Sequence, residues 1–185
     1  QTIAGEIGIV GRDGLTPGLG GAGQLCERDL LKAIDIGLVE TFISIDVSHG
    51  VTPHAVEEAA ELLGATAFGF GTGSTHLVVV DPGVGTSRRA IAVKSRGSFF
   101  IGPDNGVLRA AIEQEGAEVV EIDAPHLYRQ PVSATFHGRD IFAPIAAELA
   151  AGLAFTEVGH AISDSVVHQR SRAEVNGNQA QGVVV

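Results

Sequence analysis

The chain has 185 residues, a formal charge of −10, 44% hydrophobic and 18% charged residues. That is enough apolar material for one domain's core, which excludes a disordered or collagen-like chain, and the acidity argues against binding nucleic-acid phosphate or anionic lipid. The single cysteine, Cys26, excludes a disulfide framework and a multi-cysteine zinc site. No apolar run reaches the roughly 18 residues of a membrane span, and the first residues lack a signal-peptide pattern, so a cytoplasmic protein is expected. There is no methionine, so Gln1 is not read as a native start and the chain is expected to be a fragment or a processed product.

Ile3–Val10 reads as a short apolar strand. A Gly-rich stretch follows over Gly11–Gly23, and Leu25–Leu38 has helical spacing. Phe42–Asp46 is a β-rich run ending in an acid. Thr52-Pro53 predicts a helix start, Thr52 as cap and Pro53 in the first turn, running to about Leu63-Gly64. Thr75–Val80 is a buried strand that ends in Asp81. Ala90–Lys94 and Ser98–Ile101 predict a hairpin around Arg96-Gly97. Gly106–Glu115 is a predicted helix, Glu118–Ile122 a strand, and Gly138–Ala151 an Ala-rich helix stopped by Gly152. Strands alternating with helices predict an α/β fold, a mostly parallel central sheet flanked by helices. That domain is expected over residues 1–170. Residues 171–185, turn-rich and closing on three valines, read as a linker and the start of a truncated C-terminal domain.

Ligands in such sheets bind outside the carboxyl ends of strands, which directs attention to Asp46 and Asp81. Val80-Asp81-Pro82-Gly83-Val84-Gly85-Thr86-Ser87-Arg88-Arg89 carries an acid, a two-glycine turn and two arginines. Either Arg88 orients Asp81 through charge-assisted hydrogen bonds, or Asp81 caps the turn and the arginines are solvated. Asp104 and Asn105, between a strand and a helix, either bind a polar ligand or cap the helix. His137, at a helix entrance where backbone amides disfavour a positive imidazole, either handles a proton or is a satisfied structural histidine beside an Arg139–Asp140 contact. Ser48-His49 sits on a strand, where neighbours point to opposite faces, and no G-x-S-x-G elbow exists. His49, His54, His76, His137, Asp46 and Asp81 lack the spacing of a metal site, and none is expected.

The blocks IDVSHGVTPHAVEEAAELL, GTGSTHLVVVDPGVGTSRRAIAV, FFIGPDNGVL and VSATFHGRDIFAPIAAELAAG, in this order over about residues 40 to 155, resemble the S-adenosylmethionine hydroxide adenosyltransferase family. Its members are SAM hydrolases; fluorinase and chlorinase are their halogenating relatives. The resemblance implies a fluorinase-like N-terminal domain and cleavage of S-adenosylmethionine by water to adenosine and methionine. It places the hydrolytic set on Asp81, Arg88 and His137, and substrate contacts on Asp104, Asn105 and Ser133. Where the family carries a T-D-F-G motif whose aspartate holds the ribose hydroxyls, this sequence has IGIVGRDGLTPGLGG, with Asp13 as the stand-in. No metal or cofactor is implied, the nucleoside being the substrate. A homotrimer is implied where the family's C-terminal domain is present. Two alternatives stand beside hydrolysis. One is a non-catalytic or truncated domain with at most weak nucleoside binding. The other is a SAM-dependent halogenase, against which the Arg88-Arg89 pair argues.

Overall fold

The computed structural model describes residues 5–12, 42–168 and 174–181. The expected helix at Leu25–Leu38, Cys26, Asp13 and the closing valines lie outside them. Among the described residues a seven-stranded sheet has the order β2-β1-β3-β5-β4-β6-β7, and a separate two-stranded ribbon pairs β8 with β9. The strands are β1 (Gly5–Arg12), β2 (Phe42–Val51), β3 (Thr75–Val79), β4 (Ala90–Ser95), β5 (Ser98–Pro103), β6 (Glu118–Ile122), β7 (Gly159–Ala161), β8 (Glu174–Asn176) and β9 (Gln179–Gln181). The helices are α1 (Val56–Thr66), α2 (Arg109–Ile112) and α3 (Ala143–Ala151).

The α/β class holds, with helices on both faces of the sheet, but the expected mostly parallel pairing is corrected to a mixed one. Only β3–β5 is parallel. The other five contacts are antiparallel. One local feature accounts for two of these. Arg96 and Gly97 both take positive φ, 50° and 78°, and close the two-residue turn that the sequence predicts. That turn reverses β4 against β5, and β4 then meets β6 antiparallel as well. β2, β3, β5 and β6 therefore share one direction, and their carboxyl ends share one edge.

Side-chain alternation splits the core in two. Val78, Val80, Ile91, Val93 and Phe100 face α1 and α2 through Ala59, Leu63 and Ala111. Leu77, Ala92, Ile101, Val120 and Ile122 face α3 through Ile145, Ala146 and Leu149. Gly152 ends α3 with φ of 103°, its N–H bonding Leu149 O, while the Leu153 N–H bonds Glu148 O.

Three expected boundaries shift. β2 continues to Val51, pairing with β1 across two irregularities in register, so Asp46 lies in mid-strand opposite Gly8 and not at a strand end. α1 starts at Val56, not at Thr52-Pro53. Thr52 O accepts the Ala55 N–H in a turn, His54 adopts φ of 68°, and no side chain caps the helix. The helix expected over Gly106–Glu115 is regular only over Arg109–Ile112. There the buried Arg109 guanidinium reaches Glu57 at 2.9 Å and Glu61 at 2.6 Å on α1, tying the two helices by charge.

Candidate active site

Asp81 leaves the carboxyl end of β3 and enters two successive tight turns. Val84 N–H bonds Asp81 O and Thr86 N–H bonds Gly83 O, and the chain doubles back so that Arg88 returns to Asp81. Gly85 is required here twice over. Its φ is +77°, and a Cβ would stand 2.6 Å from Ala134 O in the loop that leads to His137. The glycine therefore lets the Asp81 turn lie directly on the histidine loop. Gly138 does the same one residue after His137, where a Cβ would meet Val79 Cγ1 of β3 at 3.2 Å. Two residues without side chains thus bring together segments some fifty positions apart.

The result is a contiguous cluster. Arg88 Nε donates to Asp81 Oδ1 at 3.1 Å and Arg88 Nη2 donates to Asp81 Oδ2, a bidentate pair whose side chains are 7% and 6% exposed. Arg88 Nη2 also meets His137 Nδ1 at 3.0 Å, and Arg88 Nη1 donates to Arg89 O at 3.2 Å. The guanidinium lies over the Phe142 ring, 5.2 Å from its centroid. A guanidinium always donates, so His137 Nδ1 must be the acceptor and the neutral ring carries its proton on Nε2. Burial, then the Arg88 charge, holds the His137 imidazole below its ordinary range, against weaker opposing pulls from Asp81 and Asp140. His137 is thus a neutral ring whose Nε2–H is a donor.

The chain enters α3 through a wide turn over Gly138–Phe142, in which Ala143 N–H bonds Gly138 O five residues back. That turn places the fully buried Phe142 under Arg88 and buries Asp140. Asp140 accepts from Arg139 Nε at 2.6 Å, from Arg139 Nη2 at 2.9 Å and from Ser133 N at 2.8 Å. The Arg139 hydrogen bond, ahead of the smaller Ser133 contribution, holds the Asp140 carboxyl below its usual range. Ser133 is fixed by this bond through its backbone, while its Oγ accepts the Thr135 N–H at 3.3 Å.

Asp104 leaves the end of β5, beside Asp81, and is almost completely occupied by protein. Its Oδ2 accepts from Arg89 and its Oδ1 from Val166 N at 2.7 Å. Asn105 is likewise engaged on both sides, donating to Val80 O at 2.9 Å and accepting from Val107 N at 3.2 Å. Both residues brace the strand ends with the polar atoms expected to face a ligand. The remaining histidines are dispersed. His49 pairs with Asp46 at 3.3 Å. His76 is fully buried, stacked on Phe100 at 4.5 Å, and bonded at Nε2 to Ser74 Oγ. Among the described residues no three His, Cys, Asp or Glu side chains gather as metal ligands would. Nor is any described helix long and apolar enough to cross a membrane. Sequence reasoning missed Phe142 as the floor under Arg88. Only the wide turn puts it there, and that turn has no signature in the residue pattern.

Fold and cluster together define a mixed α/β domain with an Asp–Arg–His site at the carboxyl edge of its parallel strands. Comparison with known proteins makes the class specific. Residues 31–159 match the family described as SAM hydroxide adenosyltransferase N-terminal domain. The chain is 45% identical over 132 residues to an (R)-S-adenosyl-L-methionine hydrolase of Salinispora tropica, covering 70% of this chain and 50% of that protein. It is 28% identical to a fluorinase of Actinoplanes sp., covering 83% of this chain and 60% of the relative. Among solved structures, an uncharacterized conserved protein from Thermotoga maritima superposes with a TM-score of 0.71 at 38% identity, covering 81% of this chain and 57% of that one. This chain belongs to the SAM hydroxide adenosyltransferase family. It spans about half the length of the curated hydrolases that it matches.

Proposed function

We propose that the Asp81–Arg88–His137 cluster serves hydrolysis of S-adenosylmethionine to adenosine and L-methionine, by in-line attack of one oriented water on C5′. The observation that carries this reading is the direct contact among three polar side chains from distant positions, in which the His137 ring keeps a donor at Nε2. The similarity to proteins named (R)-S-adenosyl-L-methionine hydrolase gives the substrate class.

The sulfonium makes C5′ electrophilic and leaves as a neutral thioether, so the reaction is short of a positioned nucleophile, not of an activated leaving group. Water donates one hydrogen bond to the Asp81 carboxylate and accepts one from His137 Nε2–H. Its remaining lone pair then points at C5′. As the C–O bond forms and the C–S bond breaks, the water proton passes towards Asp81 and on to solvent. His137 Nε2 already bears a proton, so in this role it orients the water and does not receive the proton. Overall one sulfonium and one water give adenosine, methionine and a proton. The substrate carries the reactivity, and the reading invokes no metal or cofactor.

Ser133, which retains its hydroxyl proton, serves as a donor to the nucleoside, and Asp104 and Asn105 shape the floor of the pocket by bracing β3 and β5. Asp13 is proposed for the ribose hydroxyls. The same reading carries residues 171–185 as a link into a C-terminal domain, a homotrimer of the complete protein and a cytoplasmic setting.

The test is incubation with S-adenosylmethionine in heavy-oxygen water, followed by chromatography and mass spectrometry. Adenosine with the label on its 5′-hydroxyl is expected. Adenosine formation no faster than in buffer, or adenosine without label, sinks the reading. A 5′-haloadenosine formed in the presence of halide would favour a halogenase instead.

A further inference from the structure

Arg88 and Arg89 are neighbours whose side chains diverge, one into each of two carboxylate sites, and the two sites meet at a single atom. The Arg89 carbonyl oxygen accepts Arg88 Nη1–H at 3.2 Å and the Asp104 N–H at 2.9 Å. Its own side chain is clamped. Nε donates to Asp104 Oδ2 at 2.9 Å, and Nη2 stands 2.7 Å from the same oxygen. Nη1 reaches Asp164 Oδ1 at 2.7 Å and Nη2 reaches Asp164 O at 2.9 Å. The Asp104 side chain is only 2% exposed, so the pair is anchored below the surface at one end.

The geometry of a planar guanidinium gives this link a consequence. Nε and Nη2 of Arg88 fix one edge of the plane on the Asp81 carboxylate. A bidentate carboxylate contact alone still lets the plane rock about the line between the two groups. The bond from Nη1 to the Arg89 carbonyl supplies the third point and stops that motion. The second Nη2–H, the one aimed at His137 Nδ1, is thereby held in a fixed direction.

We propose that the Arg89–Asp104 ion pair is a positioning unit for the hydrolytic cluster: it fixes the carbonyl that locks the Arg88 guanidinium, and so holds His137 as the Nε2–H tautomer that presents a donor to the nucleophile. Neither Arg89 nor Asp104 need touch the reacting atoms. The catalytic consequence rests on the hydrolase reading given above, whereas the state of His137 can be read without any turnover.

The test is histidine-ring nuclear magnetic resonance on the isotopically labelled chain, with turnover measured in parallel. In the parent protein His137 should show the Nε2–H tautomer. In Arg89→Gln, which loses the ion pair and releases the carbonyl, the ring should become a mixture of tautomers, with its titration midpoint moved up as the Arg88 charge swings away. Arg89→Lys, which keeps a cation for Asp104, should recover most of the parental state. The kcat of Arg89→Gln should fall roughly tenfold with KM little changed, the pattern of a misdirected reacting group. An unaltered His137 tautomer and midpoint in Arg89→Gln overturns the proposal, even if the melting temperature drops. Should that variant not fold, Asp164→Asn removes one outer contact and should move His137 the same way by a smaller amount; no movement again overturns it. If the parent releases no adenosine while His137 responds as described, the hydrolase reading fails and the positioning link stands.

Discussion

Two Asp–Arg pairs sit side by side at the ends of two neighbouring parallel strands, and they are built differently. Asp81 and Asp104 are both nearly buried, and both face an arginine from the same dipeptide. Burial therefore does not separate them; the third partner does. Around Asp104 that partner is the 164–166 segment, through Asp164 and the Val166 amide, so nearly every polar valence is consumed in holding chain to chain. Around Asp81 it is His137, a neutral ring with a second nitrogen to spare. An ion pair closed by backbone is scaffold. An ion pair closed by an imidazole retains a donor for something else. The shared carbonyl of Arg89 makes the first a support for the second.

Breaking the Asp81 side of this comparison should have the largest effect. Asp81→Asn keeps the shape but removes the charge opposite Arg88, and turnover should fall about a thousandfold, read as adenosine release, while the protein remains folded by circular dichroism. Parental turnover in that variant would remove Asp81 from the mechanism. Arg88→Lys should follow, with a loss of roughly a hundredfold. An ammonium cannot grip both carboxylate oxygens, His137 and the Arg89 carbonyl in one plane. The comparison is sharpened by making the same change next door: Arg89→Lys should lose less than tenfold, and equal losses at the two positions would erase the distinction drawn between them.

Acid should expose a weakness belonging to neither pair. Burial lowers the His76 imidazole to about 4, from an unfolded value of 6.5. A group with a depressed folded pKa contributes stability in full above 6.5 and loses it as pH falls towards 4. The loss should reach about 2 kcal/mol by pH 5 and about 3 kcal/mol below pH 4. His137, shifted in the same direction, adds to the decline. Urea midpoints of the parent and of His76→Phe across this range check it: the variant should show a shallower fall, and parallel curves would mean that His76 is not the buried titrating group. The smallest effect is expected at Lys94, whose pair with Glu118 is exposed on the sheet. Lys94→Ala should change stability by less than about 0.5 kcal/mol in the same urea assay, with adenosine release unchanged.

Much of this was legible in the sequence wherever a local rule governed. The Arg96-Gly97 hairpin, the strand at Glu118–Ile122 and the stop at Gly152 follow from turn chemistry and alternation within a few residues. The segments that misled did so where a distant group overrode the local rule. Thr52-Pro53 has every mark of a helix start, yet the chain turns once more at His54 before α1 begins. Asp46 looked terminal because the β-rich run before it is short. Pairing with β1 carries the strand on to Val51.

By itself the residue order determined which side chains are proposed to carry the chemistry: an acid after a buried strand, an arginine seven residues on, a histidine before a helix. It determined as well that glycines had to lie between them. Tertiary structure alone decided that Arg88 takes Asp81 while Arg89 takes Asp104, that one carbonyl joins the two pairs, and which nitrogen of His137 keeps its proton. The reason is physical. Residue type and local backbone preference act over a few positions, whereas hydrogen-bond partners, and with them a tautomer, are set by whichever group the fold brings within about 3 Å from anywhere in the chain.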